Sequence, residues 1–118
     1  MDGQGFLRAT ADLIERGWCC GADARDCHGD AVEASDPTAT AWSLIGALVA
    51  VSDRVDANRA SLRDALWGIS GVIPDASLDG WNDATGRTQA ETLRMLARAQ
   101  ISLDETPPPR DGWPADSG

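Results

Sequence analysis

Residues 81–91, Trp-Asn-Asp-Ala-Thr-Gly-Arg-Thr-Gln-Ala-Glu, set an indole, an amide, a carboxylate and a guanidinium just ahead of a helix start. A guanidinium grips carboxylate or phosphate oxygens in a fixed fork, and the N–H groups of a helix start point at the same kind of group. The chemistry on offer is therefore anion holding, with Asp83 available to move a proton. The helix start is set by Thr88 and Glu91, which have the spacing of a capping box: hydroxyl to the Glu91 N–H, carboxylate back to the Thr88 N–H. Gly86 can take φ > 0 freely, so the chain can reverse between Asp83 and Arg87 and bring the two face to face. Two readings follow: an Asp–Arg pair that locks a loop beneath Trp81, or a pocket floor in which Arg87 and the helix start hold an anion.

Other chemistry-bearing residues carry less. Cys19, Cys20, Cys27 and His28 lie within ten residues, but adjacent ligands in an extended chain point apart and no C-x₂₋₄-C knuckle is present. Asp75, Ser77, Asp79, Gly80 and Asp83 follow the first part of a calcium-loop pattern, which fails where a closing glutamate should stand and Gly86 stands instead. No metal or cofactor is expected. Of the five tryptophans, Trp42 and Trp67 fall on apolar helix faces and read as core, while Trp18 and Trp81 flank polar loops and read as pocket lining.

The elements that must position these residues are mostly helical. Phe6, Leu7, Thr10, Leu13 and Ile14 recur at helical spacing before Gly17, predicting a helix over 4–16. Residues 22–32 predict a short hairpin turning at His28-Gly29. Ser35-Asp36-Pro37 reads as a cap with proline at the first helical position, followed by the most apolar helix, from Ala41 and Trp42 to Val51. Gly46 within it implies close approach of a neighbouring helix. A third helix is predicted over 56–67 with Leu62, Ala65, Leu66 and Ile69 inward, ended by Gly68 and Gly71, then a single helical turn near 77–81. The last helix runs over 89–103, burying Leu93, Leu96 and one of Ile101 or Leu103. The fold class is mainly α: one small four-helix domain over 1–103, with a short β-hairpin between helices one and two. Residues 104–118 read as a proline-rich acidic tail, expected to be extended or disordered and to add no core beyond Trp113.

Composition excludes several functions. A formal net charge of −9, with ten dispersed arginines and no lysine, argues against a nucleic-acid partner. No run approaches the about 20 apolar residues of a membrane span, and no basic-then-apolar leader opens the chain, so a cytoplasmic protein with no membrane partner is expected. Three cysteines fit reduced thiols better than disulfides. The nearly all-apolar helix from Ala39 to Val51 has few other elements to cover it, so burial of part of that surface, or of the Leu93–Leu103 face, by a second copy in a two-fold homodimer is expected.

Three segments together resemble an uncharacterised family of small proteins from actinobacteria and their phages: Arg16-Gly17-Trp18-Cys19 with Gly21, Ala24, Arg25 and Asp26; Ala41-Trp42-Ser43-Leu44-Ile45-Gly46-Ala47-Leu48; and Trp81-Asn82-Asp83-Ala84 with Gly86, Arg87, Thr88 and Glu91. The resemblance covers about residues 6–103 and implies no mechanism. Cys20, Cys27 and His28 fall outside its pattern. A shared purpose for the matching segments would gather their polar members at one end of a helical bundle. The candidate ligand-binding set is therefore Trp18, Arg25, Asp26, Trp81, Asn82, Asp83, Arg87 and Thr88, with no catalytic residue assigned. The leading expectation is a non-catalytic binding or accessory protein for a small polar or anionic ligand or a protein partner. The alternatives are a small metabolic or biosynthetic enzyme using Asp83 as acid/base and Arg87 as anion clamp, and a phage- or plasmid-borne inhibitor acting through its acidic surface.

Overall fold

The computed structural model describes residues 1–73 and 77–109. Asp75 and Trp113, which entered the readings above, lie outside the described residues. Among the described residues, five helices and three short strands follow in the order α1 (Gly3–Arg16), β1 (Ala24–Arg25), β2 (Ala31–Val32), β3 (Ala41–Trp42), α2 (Leu44–Ser52), α3 (Arg59–Ser70), α4 (Leu78–Asn82) and α5 (Gln89–Glu105). The chain is thus mostly helical, but with a fifth helix and a three-stranded antiparallel sheet, β2-β1-β3, where a plain four-helix domain with a hairpin was expected.

Helices α1, α3 and α5 pack on one another, α2 lies against α1, and α4 against α2. Phe6, Leu7 and Ile14 of α1 meet Leu44, Ala47, Leu48 and Val51 of α2, Ala65 and Ile69 of α3, and Met95, Leu96, Ala99 and Leu103 of α5 in one core. Leu103 takes the buried position that the sequence left open between two residues, and Ile101 is exposed. The caps are local and legible: Asp2 accepts from Gly5 N at 2.7 Å, and the Thr88/Glu91 box forms as expected. Asn58 and Ser61 form a second box, so α3 begins after residue 58.

The start of α2 is the main correction. Ser35-Asp36-Pro37 does not begin it. Asp36 instead accepts from the Thr38 N–H and hydroxyl in a local turn, and the Ser35 hydroxyl donates to Asp53 at the far end of α2. Residues 40–43 are drawn into sheet pairing: Thr40 N donates to Arg25 O, Trp42 N to Gly17 O and Ser43 N to Asp23 O. Non-local pairing overrides the local cap, and Ser43 becomes the cap, accepting from Gly46 N at 3.0 Å. Gly46 does mark a close approach, but to strand-side backbone and not to a helix: a Cβ there would lie 1.8 Å from Asp23 O. Gly68 does not end α3; it sits inside the helix with its backbone against Ala99 of α5.

The apolar face of α2 is covered within the chain by α1, β3, α3 and α4. Its exposed apolar residue is Val49, and the other large exposed apolar side chains among the described residues are Val55 and Ile101. The uncovered surface that motivated a dimer is therefore not present on α2. No helix among the described residues is long and apolar enough to cross a membrane.

Candidate functional site

Asn82, the last residue of α4, is buried to 1% exposure and saturated with hydrogen bonds. Its Oδ1 accepts from Trp18 Nε1 at 2.8 Å and from the Leu44 backbone N–H at 3.0 Å; its Nδ2 donates to Cys19 O at 3.2 Å and to Asp83 Oδ1 at 2.9 Å. An amide has two acceptor and two donor positions, and all four are used. Asn82 therefore ties the 17–21 loop, the first turn of α2 and α4 together, and offers nothing to a ligand. Trp18, expected to line a pocket, spends its N–H on this hub. Asp83 also accepts from Gly21 N at 3.2 Å, holding the loop from the solvent side.

The hairpin members are also structural. Arg25 donates to Gly29 O at 2.9 Å and Cys20 O at 3.1 Å, spanning the hairpin and the adjoining loop. Asp26 accepts from His28 N and Asp30 N within its own turn. Between these loops Cys19 is buried, and its thiol pKa is pushed up by burial, with Arg25 acting in the opposite direction.

Asp83 and Arg87 do not pair. Gly86 takes φ +81° as expected, yet the turn sends the two side chains to different partners. Arg87 Nε donates to Trp81 O at 2.8 Å, its guanidinium stacks 3.8 Å from the Trp81 ring centroid, and Nη1 lies 3.5 Å from Glu91 Oε2. Glu91 thus supplies the negative charge at the start of α5, which an incoming anion was expected to provide, while its Oε1 accepts from the Thr88 N–H. The acid/base and clamp roles also fall in separate cavities. Asp83 borders a cleft of about 210 Å³ with Gly21, Asp23, Ser43 and Asp79, whereas Arg87 borders another of about 230 Å³. Among the described residues, no group of three or more His, Cys, Asp or Glu side chains has an arrangement that could hold a metal ion.

The Arg87 cavity brings in two residues that the sequence reading missed. Trp81, Arg87, Glu91, Arg94, Met95 and Arg98 line it with Val72. The ion pairs among the described residues are Arg54–Asp56 and Arg87–Glu91, so Arg94 and Arg98 line the cavity without an ion-pair partner among those residues. The signal was present in part: Arg94 and Arg98 stand at i and i+4 on one face of α5, while Arg87 precedes the Thr88 cap of that helix. Of the eight candidates, the structure brings together Trp18, Asn82 and Asp83 in a structural hub, with Arg25 on the adjoining loop. It brings Trp81 and Arg87 together at a cavity, and it leaves Asp26 and Thr88 as turn and cap residues.

The chain belongs to a family of unknown function (DUF6197), whose profile matches residues 3–101, from the start of α1 into the last turns of α5. Neither the comparison with curated proteins nor that with solved structures gives a match.

Proposed function

We propose that this chain is a non-catalytic binding domain whose α5 groove holds an anionic group of a ligand or partner. Two guanidiniums with no ion-pair partner among the described residues, Arg94 and Arg98, line a single cavity of about 230 Å³ beside the Trp81-stacked Arg87, in a chain whose net charge is −9. That observation carries the reading. Repulsion from the acidic surface disfavours indiscriminate anion binding, so a cavity edged by three arginines and one glutamate is a local exception to the field around it. Trp81 and Met95 give the same cavity an apolar wall, which favours an anion carried on a ring or aliphatic body.

Arginine forks make charge-assisted bonds that exceed neutral ones in strength, and each arginine in contact should contribute about 1–2 kcal/mol of binding, about tenfold in affinity. The test is calorimetric titration of the full chain with pyrophosphate and with a phenyl-bearing dicarboxylate. Arg94→Gln and Arg98→Gln should each weaken binding about tenfold without lowering the melting temperature of the free protein, and Asp83→Asn should leave affinity unchanged. Binding indifferent to both arginine substitutions, or no binding of either probe by the full chain, would leave the face as solvated helix surface.

A further inference from the structure

The arginine cavity does not end at Arg98. A second cavity of about 380 Å³ shares Val72 and Arg98 with it and continues past Ile101 to Glu105 and Thr106. One wall of the joined groove is α5, on which Arg94, Arg98, Ile101 and Glu105 stand at i, i+4, i+7 and i+11, a single helical face. The facing wall, Gly71 and Val72 just past α3, sits tightly on α5: a Cβ on Gly71 would lie 2.2 Å from Ser102 Oγ. At the far end Trp67 Nε1 donates to Thr106 O at 2.8 Å. Both walls are thus fixed by the fold before anything enters, as in most binding sites. The chemistry changes in order along the groove: cationic at Arg94 and Arg98, apolar at Val72 and the 58% exposed Ile101, acidic at Glu105.

We propose that the groove binds an extended segment of a partner protein with the pattern acid-x-acid-x-apolar, the two acids on Arg94 and Arg98 and the apolar side chain on Ile101 and Val72. This rests on the anion-holding reading above and names the carrier of the anion. The spacings agree. In an extended segment alternate side chains share a face at intervals of about 6.6 Å, and Arg94 and Arg98 lie about 6 Å apart along the helix. The third such side chain falls about 13 Å from the first, against about 10 Å of helix from Arg94 to Ile101, a difference that arginine side chains span. Charge complementarity selects this occupant. In a chain of net charge −9 an acidic segment is repelled over most of the surface and is attracted at the groove's arginine end, where Arg94 and Arg98 have no ion-pair partner among the described residues. Glu105 repels any acid placed beyond the apolar residue, which fixes the order of the side chains along the groove. A nucleic-acid strand fits worse, since its unbroken run of phosphates would carry charge onto Ile101 and Glu105.

The test is NMR titration of the full chain with the end-blocked peptide Glu-Ser-Glu-Ser-Phe, its reversal, the control Glu-Ser-Glu-Ser-Ser, and pyrophosphate, following the Ile101 and Val72 methyls. The tighter of the two phenylalanine peptides should bind about fivefold better than the control, because its ring leaves water against Ile101 and Val72. Arg94→Gln/Arg98→Gln should weaken that peptide and pyrophosphate alike, by about tenfold or more. Ile101→Ser, a change at an exposed position, should bring the phenylalanine peptide down to the control while moving pyrophosphate by less than about twofold. Arginine-dependent pyrophosphate binding with the phenylalanine peptides no better than the control overturns the segment and leaves the anion groove standing. Peptide binding lost in Ile101→Ser but indifferent to the double arginine variant overturns both readings and leaves an apolar contact alone. No binding of any probe also overturns both.

Discussion

Asn82→Ala should cost more stability than its polar character suggests. The substitution strips the partner from three protein groups at once: the Trp18 indole N–H, the Leu44 backbone N–H at the start of α2, and the Cys19 carbonyl. Asp83 is spared, since it keeps the Gly21 N–H and faces solvent. Each buried group left without a partner costs about 1–3 kcal/mol, but the vacated space is about the size of one water, and a water there can re-bond two or three of them. The expected loss is therefore about 3 kcal/mol, a large fraction of the about 5–15 kcal/mol that holds a domain folded. With an m-value of about 1.5 kcal/mol/M, the urea midpoint should fall by about 2 M at unchanged m. A cycle with Trp18→Phe isolates the longest-range bond and should show coupling of about 1 kcal/mol. Asn82→Asp should also destabilise, although it keeps both acceptor bonds, because it sets carboxylate oxygen against the Cys19 carbonyl and the Asp83 carboxylate. A loss below about 1 kcal/mol for Asn82→Ala, or strict additivity with Trp18→Phe, would refute the hub.

Gly46→Ala should destabilise by about 3 kcal/mol in the same urea assay, because overpacking against the Asp23 backbone outweighs the about 1 kcal/mol of helix propensity gained; a stabilised variant would mean that α2 and β1 can separate. In thiol titration at pH 8, Cys20 and Cys27 should react fast and Cys19 only on unfolding, since it is buried and its pKa is raised. A thiol whose folded pKa is raised contributes stability below its unfolded pKa and loses it as pH climbs through the folded value, so the urea midpoint should decline on the alkaline side, and Cys19→Ala should flatten that decline. Sedimentation of the full chain should give a species of 12.4 kDa, because α2 is covered from within; a two-fold species would return the α5 face to consideration as an interface. Glu91→Gln keeps the capping geometry but removes the charge beside Arg87, so stability should move by less than about 0.5 kcal/mol while pyrophosphate affinity rises several-fold; unchanged affinity would place Arg87 outside the binding face.

The distance over which each residue finds its partner separates what the sequence disclosed from what it hid. The Thr88/Glu91 box and the Asp2 cap close within three residues, so their patterns are readable without the rest of the fold. The α2 boundary was not readable, because two good caps compete, Asp36 and Ser43, and pairing of residues 40–43 with segments 17–25 decides between them. Asn82 reads from sequence as a ligand-facing amide for the same reason: the two N–H groups that donate to its oxygen lie 64 and 38 residues away, and nothing local discloses them. Arg94 and Arg98 failed in the opposite direction. Their i, i+4 spacing was visible, but paired arginines on an exposed helix face are ordinary, and their meaning depends on Val72 and Trp81 forming the opposite wall. A motif dense in polar residues thus divides according to what the fold consumes. Asn82 and Asp83 are engaged by distant backbone groups and hold the structure together, whereas Arg87 is bound, among the described residues, to Trp81 and Glu91 of its own turn and the following helix, which leaves the guanidinium on the rim of a cavity whose further arginines have no ion-pair partner among those residues.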